Sequence, residues 1–166
     1  GYDGRLANWE EIADSARKTP GVQSATPLIE QPLMASANGR VEGVLVRGNT
    51  LEDIRTNAIL NGKVVAGHLK SIVPESGRVA IGARLAETLV AFPGSEISLI
   101  SPDGRSTPVG TVPRIVTYTV GPIFEVGIFE YDKAFVIMPM QDAQTLLLLG
   151  DGVGMVEIQV ENPDNV

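Results

Sequence analysis

Few residues in this sequence are of types that do chemistry, and their spacing limits what they can do. His68 is the only histidine among 166 residues. A Ser-His-Asp relay or a histidine-rich metal site would therefore have at most one imidazole to draw on, and a structural or surface role is expected for it. Cysteine is absent, which excludes thiolate metal sites, thiol nucleophiles and disulfides and leaves the redox compartment open. Glu125, Glu130 and Asp132 form the best carboxylate cluster. Paired carboxylates can divide acid and base roles in glycoside hydrolysis, so a carbohydrate-active enzyme is one reading. The plainer reading puts Glu125 and Glu130 at the two ends of a turn, Val126-Gly127-Ile128-Phe129, joining two strands, with no aromatic sugar platform nearby.

Gly150-Asp151-Gly152-Val153-Gly154 superficially looks like a phosphate loop. Phosphate loops need a strand first and a helix second, so that the anion meets helix N-terminal amides. Here the order is reversed, and the run reads as a helix C-terminus with Gly150 as its left-handed cap. No Walker lysine motif occurs, so the chain does not itself bind ATP in that manner. One loop remains, Ser106-Thr107-Pro108-Val109-Gly110-Thr111-Val112-Pro113. Its prolines limit the backbone, and Val109 and Val112 stand where a solvated loop favours polar residues. A hairpin arm of this kind would offer a partner a stiff edge or an apolar plug; alternatively the loop folds back and buries both valines.

These residues sit in a chain that is 43% hydrophobic, 20% charged and 5% aromatic, with 13 basic and 20 acidic residues for a net charge of -7. A chain this long typically buries roughly 68–70% of its unfolded surface, so it needs neither disulfide nor metal to fold. The acidic balance argues against nucleic acid or an anionic membrane surface as partner. No stretch approaches the roughly 20 apolar residues of a membrane span. Gly1-Tyr2-Asp3-Gly4 and Asn162-Pro163-Asp164-Asn165-Val166 read as cut ends, so a piece of a longer protein is expected.

The elements that position these residues follow from periodicity. Trp9, Ile12, Ala13 and Ala16 mark a helix with Asn8 as N-cap. Val22 to Ala37 reads as extended but interrupted by Pro27 and Pro32, which suits an edge or bulged strand. Asn38-Gly39 is the turn to a return strand, Val41 to Arg47. Gly48 to Gly77 is irregular, with Leu51 to Arg55 a helical turn and Lys63 to Gly67 a short turn or strand. Further on come a strand at Arg78 to Gly82, a helix from Ala83 to Val90 ended by Phe92-Pro93-Gly94, and a strand at Glu96 to Ser101. The long loop Pro102 to Pro113 follows, then a strand from Arg114 to Glu125, an extended run at Ala134 to Met138, a helix from Gln141 to Leu149 and a last strand from Met155 to Glu161. The class is α+β: a helix-plus-hairpin unit that the chain leaves for a β-rich part and then rejoins.

The run Gly121 to Gln144, GPIFEVGIFEYDKAFVIMPMQDAQ, resembles the periplasmic domain of LolC/LolE-type lipoprotein-releasing permeases. Gly43-Val44-Leu45-Val46-Arg47-Gly48, Val79 to Ala86, Pro93-Gly94 and Thr107 to Val120 occur in the family's order, so the resemblance covers essentially the whole chain. It implies a periplasm-facing domain, between the first two of four spans, in an inner-membrane ABC transporter permease of a Gram-negative cell. A porter-like α+β part would comprise residues 1-50 and 151-166. An inserted β-rich part, 51-150, would carry the 101-114 hairpin loop, and a closing helix and strand would follow Val166. The implied work is mechanical: the domain is no enzyme and holds no cofactor, and ATP is hydrolysed by a separate LolD-type ATPase subunit. The permease, paired with a second LolC/LolE-type subunit as hetero- or homodimer, passes lipoprotein cargo to a LolA-type chaperone. The hairpin that captures the chaperone, called the Hook, maps to Thr107, Pro108, Val109, Gly110, Thr111, Val112, Pro113 and Arg114, with Pro108-Val109-Gly110 as the tip. A second chaperone-contact patch is implied without assignable residues. A related permease core of the MacB or FtsX kind, serving efflux or cell-wall hydrolase control, is the nearest alternative.

Overall fold

The structure is a computed structural model describing residues 9–18, 22–57, 60–150, 152 and 155–160. In chain order the elements are α1 (Trp9–Arg17), β1 (Val22–Ala37), β2 (Arg40–Asn49), α2 (Leu51–Thr56), β3 (Val64–Ala66), a single 3-10 turn (Leu69–Ser71), β4 (Arg78–Gly82) and α3 (Ala83–Leu89). They continue with β5 (Glu96–Thr107), β6 (Gly110–Phe124), α4 (Phe129–Ala134), β7 (Phe135–Pro139), α5 (Met140–Leu147) and β8 (Met155–Val160). This is the expected α+β class.

The strands form one sheet in the order β2-β7-β4-β6-β5-β1-β8, and β1 also pairs with β2, so six strands close into a ring. β8 extends the N-terminal half of β1 and β3 pairs with β6. The β2–β7 and β4–β6 pairs are parallel. Residues 22–49 and 155–160 thus share a hydrogen-bonded sheet with the strands lying between residues 51 and 150.

Strand alternation builds the core. Leu33 and Ala35, Val44 and Val46, Val79 and Ile81, Ile97 and Leu99, and Val136 and Met138 all face one buried cluster, as the two-residue side-chain period requires. Leu85, Ala86 and Leu89 of α3 and Ala143 and Leu146 of α5 pack into it. A second cluster lies on the other face: Ala80, Phe124, Phe135 and Ile137 with Ile54, Leu60 and Ile72. β4 and β7 are therefore covered on both faces, which is why their sequences are nearly unbroken apolar runs.

Several expectations are corrected. β1 is not an edge strand: it pairs with β8 over Val22–Leu28, with β2 over Leu28–Ala37 and with β5 over Met34–Ser36. Its prolines are tolerated because Pro27 is paired only to β8 and Pro32 only to β2, so a missing N–H can face an unpaired side. A register shift between Val22 and Ser24 supplies the expected bulge. The turn after β6 leads not into a strand but into α4. The helix α5 ends at Leu147, and its left-handed cap is Leu148 (φ 58°), two residues before Gly150 (φ 59°). α3 ends at Leu89, three residues before Phe92-Pro93, because Val90 takes the left-handed conformation. The expected cap Asn8 lies outside the described residues. The Asn38-Gly39 turn holds, with φ 53° and 74°, and it reaches across the fold. Asn38 Nδ2 donates to Leu89 O and Val90 O, both at 2.8 Å, and so holds the carbonyls at the end of α3.

Candidate functional site

The stretch expected as a loop from Pro102 to Pro113 is the outer half of a two-stranded arm. β5 and β6 pair in register from Glu96↔Thr119 to Ser101↔Arg114, and again from Arg105↔Val112 to Thr107↔Gly110. Between these two ladders β5 carries Pro102, Asp103 and Gly104 against Pro113 alone on β6. Such a bulge bends a ribbon and increases its twist. Beyond the bulge the arm projects by about four residues, roughly 13 Å.

The tip is the Pro108-Val109 turn. Pro108 presets the backbone for a turn's second position, and Thr107 locks the tip from beneath. Its hydroxyl donates to Gly110 O at 2.6 Å and accepts from Val109 N at 3.3 Å. The apolar side chains face solvent, Val109 almost wholly (94% exposed) and Val112 by about half (48%). The loop does not fold back to bury them. Pro108, Gly110, Thr111 and Pro113 are also exposed, and Thr107 is half-buried.

Arg114 stands apart from the other residues of this stretch. It is half-buried, and its side chain turns away from the tip to the end of α5, where Nε donates to Leu146 O at 3.0 Å and Nη2 to Thr145 O at 3.4 Å. Carbonyls at a helix end are short of intrahelical donors and carry partial negative charge, so a guanidinium suits both needs, although Thr145 O also receives the Leu148 amide at 3.4 Å. On β6, burial, reinforced by the nearby charge of Asp142 on α5, pushes the Tyr118 hydroxyl up to about 12, while Arg114 opposes the shift. Asp142 is itself raised, chiefly by burial. A hydrogen bond from the Glu75 amide (2.9 Å) lowers it and the Glu75 charge raises it.

One surface feature was missed in the sequence. Met34, Ile100 and Ile115 lie directly opposite one another across β1, β5 and β6, on the outer side of the sheet at the foot of the arm. Met34 and Ile115 are exposed and Ile100 is half-buried. The Ser98–Thr117 row, one step farther back from the tip, is polar, with Ser98 Oγ and Thr117 Oγ1 2.9 Å apart. The phase of Ile115 against buried Tyr118 and Val120 is the signal that points to an outward apolar position.

The carboxylates do not form an acid–base pair. Asp132 is buried in α4, and both its oxygens are occupied: Oδ1 accepts from Val126 N at 2.8 Å and Oδ2 from Gly127 N at 3.0 Å. It ties down the turn that Glu125 and Glu130 flank, and those two are exposed to solvent. His68 is exposed at the start of the 3-10 turn, where its carbonyl accepts from the Ser71 hydroxyl at 2.7 Å. A cavity lined by Arg47, Asn49, Asp53, Ile54, Asn57, Leu60 and Ile137 has about 10 Å³, room for one water and not for a sugar. Among the described residues no three His, Asp or Glu side chains are grouped to hold a metal ion, and no helix is long and apolar enough to cross a membrane.

No family model matches the chain. It is similar to the lipoprotein-releasing system transmembrane protein LolC of Neisseria meningitidis serogroup B, 28% identical over 166 residues, covering 99% of this chain and 40% of that protein. It is equally similar to LolC of Xylella fastidiosa strain Temecula1, 28% over 160 residues, covering 96% of this chain and 38% of that protein. The chain thus spans about two fifths of the length of these curated relatives. Among solved structures it shares its fold with the extracellular domain of the noncanonic ABC-type transporter YknZ from Gram-positive bacteria (TM-score 0.58, 14% identity, 98% of this chain and 76% of that one). It does so also with the periplasmic region of MacB from Actinobacillus actinomycetemcomitans (TM-score 0.57, 12% identity, 93% and 65%). The resemblance read from the sequence therefore stands: the chain is LolC-like in sequence and has the fold of the extracytoplasmic domains of MacB-like ABC permeases.

Proposed function

We propose that this chain is the periplasm-facing domain of an inner-membrane ABC transporter permease that releases lipoproteins and passes them to a LolA-type chaperone. The observation that carries the proposal is the tip of the arm. A valine 94% exposed on a proline turn, at the position where the family resemblance puts the Hook, offers apolar area that a partner would gain by covering. Covering a valine stabilises a complex by about 1.5–3 kcal/mol, and an arm already folded loses little entropy on docking. Thr107 to Pro113 form the contact, and the apolar row Met34, Ile100 and Ile115 offers a second surface at the arm's foot. The domain performs no catalysis. ATP is hydrolysed by a LolD-type subunit, a second permease subunit completes the transporter, and cargo is carried by the assembly as a whole.

The test is capture of a LolA-type chaperone by the chain carrying Val109→Asp. A carboxylate at the tip would have to be desolvated on docking, so affinity should fall at least about tenfold. Capture undiminished by this substitution would remove the assignment of the arm. A MacB-like or FtsX-like permease core is the second reading, favoured by the shared fold with YknZ and MacB. Co-purification of the full-length protein with an outer-membrane channel or a cell-wall hydrolase, and not with a lipoprotein chaperone, would select it.

A further inference from the structure

We propose that Arg114 is a positioning residue, the pin that sets the direction of the arm by tying its base to α5. Three observations converge on it. First, Arg114 forms with Ser101 the last ladder pair before the bulge, so every residue beyond it belongs to the projecting half. Second, the bulge is pressed against its backbone: a Cβ on Gly104 would lie 2.6 Å from Arg114 N, 2.9 Å from Arg114 Cβ and 2.5 Å from Val112 O. Third, its guanidinium leaves the arm's surface and spans two successive carbonyls at the end of α5. That helix is itself anchored, with Ala143 and Leu146 buried in the core and the Glu75 amide bonded to Asp142 near its first turn.

A two-stranded ribbon is at best marginally stable on its own, and at a bulge it is free to bend. Without the tie, the arm would join the barrel through two strands only, at the point where their ladder is interrupted. The rigid fork of an arginine can serve two carbonyls at once, whereas a lysine ammonium acts as a point charge. Arg114 therefore acts on a partner through the arm and not by touching it, in contrast to Thr107–Pro113.

The proposal rests on the arm as a contact element only for its binding consequence; its main test needs no partner. The chain has no cysteine, so spin labels on Val109→Cys at the tip and Glu87→Cys on the exposed side of α3 report one distance. We expect a single narrow distribution in the parent. It should be at least about twofold wider with Arg114→Ala and intermediate with Arg114→Lys, with the cooperative unfolding of the barrel retained in each. If Arg114→Ala does not fold, Arg114→Lys is read alone, at smaller amplitude. An unchanged distribution in the variant that folds overturns the proposal. Chaperone capture separates the two ideas. A widened distribution together with capture that Val109→Asp leaves intact supports the pin and removes the Hook reading. Weakened capture by Arg114→Ala with an unchanged distribution makes Arg114 a direct contact and overturns the pin.

Discussion

Asp132 offers the sharpest separation of a structural carboxylate from a catalytic one. Its two oxygens accept the amides of Val126 and Gly127 at 2.8 and 3.0 Å, and the side chain is 3% exposed. A hydrogen bond to a charged group is worth about 1.5–3 kcal/mol net, and a buried donor left without a partner costs a further desolvation penalty. Gly127 is exposed, so its amide regains water when the carboxylate is removed, whereas Val126 is half-buried and regains it only in part. Asp132→Ala should therefore cost about 2–4 kcal/mol, less than two full bonds would suggest. Asp132→Asn keeps the shape but leaves one acceptor and turns an NH2 donor toward a backbone N–H, so it should cost nearly as much, about 1.5–3 kcal/mol. For a chain of this size the Asn substitution corresponds to a fall in Tm of roughly 3–12 °C. Urea unfolding at neutral pH, read as a change in midpoint at constant slope, measures it, with Glu130→Gln on the exposed side of the same turn as the control within about 0.5 kcal/mol. Asp132→Asn within about 0.5 kcal/mol of the parent, or more stable than it, would refute the reasoning, because relief of stability on neutralisation is the behaviour of a strained functional carboxylate.

Gly104→Ala should force the bulge off β6, costing about 1–3 kcal/mol borne mostly by the arm. Hydrogen exchange should show lost protection at the amides of residues 105–112 and none lost in β4 or β7. Asp142 has a folded-state pKa raised above its ordinary value of 3.8, so the folded state binds the proton more tightly. Its effect favours folding at low pH and is lost as pH rises from 3.8 through the raised value. Asp142→Asn, which keeps an acceptor for the Glu75 amide, should flatten that slope in urea unfolding across acidic pH, a small effect because the group is only half-buried. Asn38→Ala removes two side-chain bonds to the end of α3 and a residue suited to positive φ, and should cost about 1–3 kcal/mol by thermal or urea unfolding.

Much of the fold was legible because it obeys local rules. The Asn38-Gly39 turn, the apolar runs of β4 and β7, the presence of α1 and the buried faces of α3 and α5 each follow from periodicity or turn chemistry within a few residues, although Ile12, expected on the apolar face of α1, is exposed. What failed depends on partners distant in sequence. Pro27 and Pro32 looked like marks of an edge because nothing local shows that β1 changes partners along its length. The short α4 is stapled to the preceding turn by Asp132 and was read instead as a strand connection. The C-caps fell on Val90 and Leu148, residues that rarely take the left-handed conformation, so the nearby proline and glycine misled. For the site, the tip at Pro108-Val109 was legible from prolines flanking misplaced valines, but the inward turn of Arg114 was not. Its acceptors are carbonyls some thirty residues away, and every arginine offers the same donors.

The docking role proposed for the arm draws on its geometry and on the area it exposes. An exposed apolar tip binds only through the area it buries, and such area is worth most when the element is already ordered and correctly aimed. Several polar groups near the arm serve that end. The Thr107 hydroxyl closes the tip, the Ser98–Thr117 pair links the two strands at the foot, and Arg114 with the α5 carbonyls fixes the base. A partner that pulls on the tip therefore pulls, through Arg114, on α5, and α5 in turn is bonded through Gln144 to Gly152 O on the connection to β8. These hydrogen-bonded links join the base of the arm to α5 and to Gly152, the path along which the mechanical role proposed above would act.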